Sequence, residues 1–339
     1  MANYREIKGD ILQTVSSDPP SPKTGQIWYN STLGKLRVGH VTQAWSSGND
    51  MNTTEGLARG SAGTLTAGLA AGGTNEVTAT TVDTEEYDGT SWTETANLTT
   101  GRNQNYGCGT QTAAVLAGGK PNPASSPGQN YALCEEYDGS SWTESGDLNT
   151  VRSNGSNFGI QTAAVNAGGY GSGSPEYQTV VEEYNGSTWS EVTDLPTGVA
   201  ASRGAGIITA GISCGGQDSE GTNTVETFEY DGTNWAEGGD LNTARDQAGT
   251  SGLQTAGLFF GGAPAPDQAD VALTESYDGT SWTEIADLST GRVGGAFSTS
   301  GTNSAAFYAG GRSQGTPVVI TEEFATDTTT ASVQSVDST

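Results

Sequence analysis

Basic side chains are scarce in this 339-residue chain, with 13 Lys and Arg set against 39 Asp and Glu for a formal net charge of −26 at pH 7. Clustered Lys and Arg are what grip a phosphate backbone, so nucleic acid is excluded as an expected partner. Histidine occurs once, at His40, which excludes a multi-histidine metal centre and histidine-ligated copper chemistry. The three cysteines, Cys108, Cys134 and Cys214, are odd in number and irregularly spaced. They fit no disulfide framework and read as free core or loop thiols. No run of about 18 apolar residues exists, so no membrane insertion is expected. Residues 1–13 carry Arg5, Glu6, Lys8 and Asp10 and lack the continuous apolar stretch of a secretion signal.

What the chain has in abundance is glycine, 50 residues of it, with only 33% hydrophobic content. Many thin layers of small side chains fit that composition better than one large core. Internal repetition supplies the layers. The string Tyr87-Asp88-Gly89-Thr90-Ser91-Trp92 returns at 137–142, 184–189, 230–235 and 277–282, and Gly-Gly pairs recur in step six times, from Gly72-Gly73 to Gly310-Gly311. One unit reads as four short strands. The first runs from Arg102 to Cys108, and the second, from Thr112 to Ala117, is apolar on both faces and stopped by Gly118-Gly119. The third is Cys134 to Tyr137. The fourth begins at Trp142, across a four-residue turn that sets Tyr and Trp side by side. Four strands in about 47 residues are the signature of a propeller blade.

Counting elements predicts how such a ring closes. There are six Gly-Gly pairs and six third strands, the last being Thr321-Glu322-Glu323-Phe324, yet no Trp follows it. Val41-Thr42-Gln43-Ala44-Trp45 lies 47 residues before Trp92, in register. The expected fold is therefore all-β: a six-bladed β-propeller of four-stranded blades, closed by an N-terminal strand around Trp45 that completes the C-terminal blade. Trp45, Trp92, Trp142, Trp189, Trp235 and Trp282 are expected to be structural. Residues 1–37 read as an N-terminal arm and hairpin, 38–325 as the propeller, and 326–339 as a flexible Thr/Ser-rich tail.

An apolar strand ending in Gly-Gly, then a Tyr, then a Trp, with an Arg opening the unit, resembles the kelch repeat, over roughly residues 38–325. The resemblance implies a fold and no particular function. Pro19 to Val38, containing Gly25-Gln26-Ile27-Trp28-Tyr29-Asn30, is similar to short hairpin segments of bacteriophage tail-fibre and other virion proteins.

Three constellations bear on function. Arg59, Arg102, Arg152, Arg203, Arg245 and Arg292 are six of the eight basic residues after residue 40 and stand once per blade. Either they ring the channel mouth as a ligand-binding, anion-attracting set, or each pairs with a repeated carboxylate such as Glu86, Glu136, Asp147 or Asp240. The loops after Gly-Gly (Lys120 to Tyr131, Tyr170 to Tyr177, Gln217 to Asn223, Ala263 to Asp270) break the repeat and read as recognition loops, with Tyr131, Tyr170 and Tyr177 as candidate ligand contacts. The Asp-Gly-x-x-Trp turns resemble the sialidase Asp-box but lack a residue between Asp and Gly. No nucleophile–base pair, phosphate loop or dense calcium loop appears. No catalytic residue, metal or cofactor is expected.

The leading expectation is a non-enzymatic bacteriophage virion-associated protein: a fibre, knob or capsid decoration assembled in the host cytoplasm. It would contact other virion proteins through residues 1–37 and a host-surface glycan or protein through the propeller. The alternatives are a carbohydrate-binding, lectin-like propeller and a sialidase-like glycoside hydrolase.

Overall fold

A computed structural model describes residues 13–19, 26–54, 60–75, 79–121, 129–172, 176–264 and 269–332. Arg59 and the middles of three recognition loops (122–128, 173–175 and 265–268) lie outside them, as do 1–12, 20–25 and 333–339. The described residues are all β, without a helix. The chain divides into two compact units, Met1–Ala44 with Ala325–Thr339, and Trp45–Phe324.

In the first unit, Ile27–Asn30 pairs antiparallel with the strand Lys35–Ser47, and Gln13–Val15 pairs parallel with Ile27–Asn30. The Asp18 carboxylate gathers this hairpin. Oδ1 accepts the Trp28 indole N–H at 2.9 Å and the Asn30 amide at 2.8 Å, and Oδ2 meets the Arg37 guanidinium at 2.8 Å. The Asn30 and Trp28 bonds hold the Asp18 carboxyl down at about 2. A carboxyl depressed in the fold stabilises it above the ordinary carboxylate pKa and ceases to as pH falls through the folded value. The Trp28 indole N–H resonance is therefore expected to stay constant from pH 7 to pH 4 and to shift with a midpoint near 2. A midpoint near 4 would remove Asp18 as its acceptor. The C-terminal reading is corrected in part, since residues up to 332 belong to the strand Thr321–Ser332.

In Trp45–Phe324, four-stranded antiparallel sheets repeat along the chain. The second is typical: Tyr106–Thr110, Ala113–Ala117, Cys134–Tyr137 and Trp142–Glu144. Four more have the same strand order, with first strands Gly60–Thr64, Ser156–Ile160, Arg203–Ile207 and Gly249–Leu253. A further set runs Ala296–Phe297, Ala305–Ala309, then residues 321–324. Against it, the Gly48 N–H donates to the Thr321 carbonyl at 2.9 Å and the Met51 N–H to Val319. Each first strand lies beside the first strands of its neighbours, and Ala296–Phe297 lies beside both Gly249–Leu253 and Gly60–Thr64. This is a propeller-type arrangement.

First strands begin later than Arg102 would suggest, at Tyr106, because the intervening residues form a belt between sheets. Gln104, Asn154, Ala201 and Gln247 all have positive φ, between 52° and 56°. That conformation costs a non-glycine residue about 1–2 kcal/mol. Here it turns each amide to the preceding sheet. The Asn154 N–H donates to the Gln104 carbonyl, Ala201 to Asn154, Gln247 to Ala201 and Gly294 to Gln247.

Side chains lock the sheets at larger radius. Tyr137 and Trp142 are cross-strand partners with ring centroids 5.0 Å apart, and each ring's polar atom reaches the preceding sheet. The Tyr137 hydroxyl donates to Glu86 at 2.7 Å, and Tyr184 to Glu136 at 2.6 Å. The Trp142 indole N–H donates to Thr84 at 3.1 Å, and Trp282 to Thr227 at 3.0 Å. Trp92 reaches Thr321 and Trp45 reaches Thr274 in the same way, at 2.9 and 3.0 Å. The indole N–H groups of Trp189 and Trp235 have no oxygen partner, because Cys134 and Val181 stand where the others find threonine. All three cysteines are free and buried.

Candidate functional site

Arg102, Arg152, Arg245 and Arg292 are essentially inaccessible to solvent. Each sits four residues before its first strand and meets a carboxylate of the third strand: Glu135 at 2.7 Å, Glu182 at 3.0 Å, Glu275 at 2.5 Å and Glu322 at 3.4 Å. Further guanidinium N–H groups cap carbonyls, as Arg152 does at Val180 (2.6 Å) and Asn166 (3.2 Å). Burial pulls the Arg152 guanidinium down to about 10, with Glu182 opposing it. A buried charge must be paired, and these are. They leave no guanidinium face open to an anion at a channel mouth.

Two details of the sequence reading need correction. The partners are Glu135 and Glu182 rather than Glu86 and Glu136. Neighbouring residues of a strand face opposite sides, so the first Glu of each pair faces the arginine and the second receives the next sheet's Tyr hydroxyl. Asp147 accepts the Cys134 N–H instead, at 3.1 Å. Arg203 also does not belong to the set. It is the first residue of its own strand, opposite Cys214. Val199 occupies the position of Arg152, four residues before that strand, and Phe228 the position of Glu182. The two pack in one apolar cluster. Pro196 stands where Asn149 donates its backbone N–H to Glu182 at 2.7 Å, and proline has no such donor. Here the charged pair and its donor have been exchanged together for an apolar pair. Arg59, outside the described residues, directly precedes Gly60, unlike the four paired arginines.

Arg203 instead stands at the start of a first strand, among the starts of the neighbouring first strands. The equivalent first-strand residues are Gly60, Tyr106, Ser156, Gly249 and Ala296, fixed by pairing with Ala71, Ala117, Ala167, Phe260 and Ala309. Two long side chains among four small ones share this space. The guanidinium stacks over the Tyr106 ring at 4.1 Å and donates to the Ala248 and Ser202 carbonyls at 2.6 and 2.9 Å. The Tyr106 hydroxyl donates to Asn154 at 2.9 Å. Nearby, burial raises the Asp246 carboxyl while Arg203 counters it.

The described residues of the loops after Gly-Gly lie beside the residues that precede the first strands. Arg152–Ser153 pairs antiparallel with Tyr170–Gly171, and single bridges join Asn103 to Lys120, Ala200 to Gln217, Asp246 to Ala263 and Val293 to Arg312. Between the second and third repeats they line an open cavity of about 380 Å³, formed by Gln104, Lys120, Asn130, Ser153, Tyr170, Gly171, Glu176 and Tyr177. Its walls are fixed from the backbone outward. The Lys120 N–H donates to the Asn103 carbonyl at 2.9 Å and the Gly171 N–H to the Glu176 carbonyl at 2.6 Å. The Asn130 side-chain amide donates to the Tyr170 carbonyl at 2.7 Å. Tyr170 and Tyr177 stand edge to face, ring centroids 5.2 Å apart, and the Tyr170 hydroxyl donates to Gln217. Burial lowers the Lys120 ammonium, and the charge of Glu176 acts the other way. Ser153 Oγ and Gln104 Oε1 are buried with no hydrogen-bond partner.

Of the tyrosines singled out in the sequence, Tyr170 and Tyr177 line this cavity and Tyr131 does not. Tyr131 spends its backbone on the scaffold, donating to Gly119 and accepting from Arg152. The sequence reading passed over Gln104, Ser153 and Glu176, which carry no repeated pattern. Among the described residues no group of three or more His, Cys, Asp or Glu is placed to hold a metal ion.

No protein-family model matches the chain, and no curated protein matches it in sequence. Among solved structures, one described as the structure of YjhT is similar, with a TM-score of 0.67 and 13% identity over 84% of this chain and 99% of that one. At that identity the likeness shows fold alone, and the fold is an all-β one of propeller type.

Proposed function

We propose that the chain is a non-enzymatic, virion-associated binding protein. Its repeats form a kelch-like, six-bladed propeller closed by residues 45–47, and its loop face binds a host-surface glycan or protein. The observation that carries the binding role is the contrast between scaffold and loops. The paired arginines and third-strand glutamates of the sheets are engaged internally by Arg–Glu and Tyr–Glu contacts, whereas two irregular loops meet around one polar cavity. Scaffolds that hold variable loops rigidly are a common platform for recognition. Six blades and closure are supported by Trp45, which bonds Thr274 as Trp92 bonds Thr321, and by the contacts of Ala296–Phe297 with the first strands on either side. Virion association is supported by the resemblance of Pro19 to Val38, by a separate compact unit that contains it, and by an acidity that keeps crowded copies soluble.

Two experiments test this. In a lysate fractionated by density gradient, the full chain is expected to band with assembled particles, and a variant lacking residues 1–37 to remain in the soluble fractions. A full chain found only in the soluble fractions rejects virion association. Separately, exchanging residues 120–131 and 170–177 for the short loop 312–317 is expected to abolish attachment to host cells with the melting temperature unchanged. Attachment that survives the exchange removes the loop face as the binding surface.

A further inference from the structure

We infer that the cavity between the Lys120 and Tyr170 loops binds one ring of a neutral, hydroxyl-rich ligand, an uncharged pyranoside. This rests on the binding role proposed above and names the ligand class.

Four features of the cavity select that class. Its volume of about 380 Å³ is at the small end of ligand pockets, the size of a sugar ring with its substituents. Ser153 is 2% exposed, lines the cavity and has an Oγ without a hydrogen-bond partner, and Gln104 Oε1 beside it is likewise unpaired. A buried polar atom without a partner costs about 1–3 kcal/mol, and a ligand hydroxyl, donor and acceptor at once, would satisfy either atom after a small side-chain rotation toward the cavity. The edge-to-face pair of Tyr170 and Tyr177 supplies apolar ring surface for the C–H face of a pyranose, with polar groups around it. Charge decides between neutral and acidic sugars. The one cation in the lining, Lys120, shares the cavity with Glu176, and the whole chain carries −26. An anionic ligand would approach against that field, to a lysine that has a carboxylate in the same lining. An uncharged one has no such barrier.

The test is a titration of the full chain, followed by NMR, with the methyl glycosides of glucose, galactose, mannose and N-acetylglucosamine, and with glucuronate as the charged comparison. At least one neutral glycoside is expected to bind with a millimolar or lower Kd, and glucuronate at least tenfold more weakly. Tyr177→Ala is expected to weaken the neutral ligand tenfold or more, and Ser153→Ala by about three- to tenfold, with melting temperatures unchanged. Lys120→Met, which leaves Glu176 as the only charge in the lining, is expected to abolish glucuronate binding altogether. Preference for glucuronate, neutral binding that both cavity variants leave intact, or no glycoside bound at 50 mM would each overturn the inference. The proposed function fails separately. If the loop exchange abolishes attachment to cells while no glycoside binds, the loop face stands and only the ligand class falls.

Discussion

Arg152→Val is expected to destabilise the protein by about 3–5 kcal/mol, because it strands the buried Glu182 carboxylate without its counter-charge. Glu182→Phe alone is expected to cost a similar amount, since it strands Arg152 and also the Asn149 and Thr150 N–H groups that Glu182 accepts at 2.7 and 3.1 Å. The triple variant Asn149→Pro, Arg152→Val, Glu182→Phe should behave differently. It reproduces in the third repeat what the fourth already contains as Pro196, Val199 and Phe228. There the donor at Asn149 has no counterpart, because Pro196 lacks a backbone N–H, and an apolar contact takes the place of the ion pair. Replacing a buried pair by well-packed apolar residues is often close to neutral, so the triple is expected within about 2 kcal/mol of the parent. Calorimetric melting of the two single variants and the triple reads the coupling directly. A triple variant as unstable as the two single losses combined would mean that the ion pair is not interchangeable with the apolar set.

That exchange also marks where the sequence was and was not legible. The sheets could be read because their signals are local and repeated. Gly-Gly stops a strand that small residues have made thin, and a four-residue Asp-Gly turn sets a Tyr beside a Trp. The Asp138 carboxylate supports that turn by accepting the Ser140 and Ser141 N–H groups, at 2.8 Å each. Spacing alone aligned Trp45 with Trp92, and their indole N–H groups bond Thr274 and Thr321 in the same way. Arg203 was misread because a residue type was followed instead of strand register. The sequence Leu195-Pro196-Thr197-Gly198-Val199 matches Leu241-Asn242-Thr243-Ala244-Arg245 in position, and that alignment puts Val199 in the arginine's place. Choosing Glu86 and Glu136 as ion-pair partners was an error of parity, since a one-residue step along a strand changes the face. The cavity was legible only as a pair of irregular loops. Ser153 and Gln104 belong to it through the inter-sheet belt, a non-local feature in which left-handed residues from successive repeats hydrogen-bond to one another. Nothing in the local sequence announces such a conformation at Gln104 or Ala201, where glycine would be the expected residue.

In the proposed ring, residues 45–47 complete the last blade. Trp45 packs at 5.0 Å from Phe260 and 5.3 Å from Phe324, in the cluster that includes Leu258 and Tyr308. Its indole N–H bonds Thr274. Trp45 is half-buried, so its loss costs up to about 3–5 kcal/mol, the range for fully buried aromatics, and loss of the strand also bares the edge at 321–324, an invitation to aggregation. The deciding measurement compares thermal unfolding of two truncations that differ by four residues, one lacking 1–44 and the other 1–48. The chain beginning at Trp45 is expected to melt cooperatively as a monomer. The chain beginning at Asn49 is expected to melt lower by about 10 °C or more, at roughly 2–4 °C per kcal/mol for a chain of this size, and to aggregate. Equal melting temperatures for the two would contradict closure by this strand.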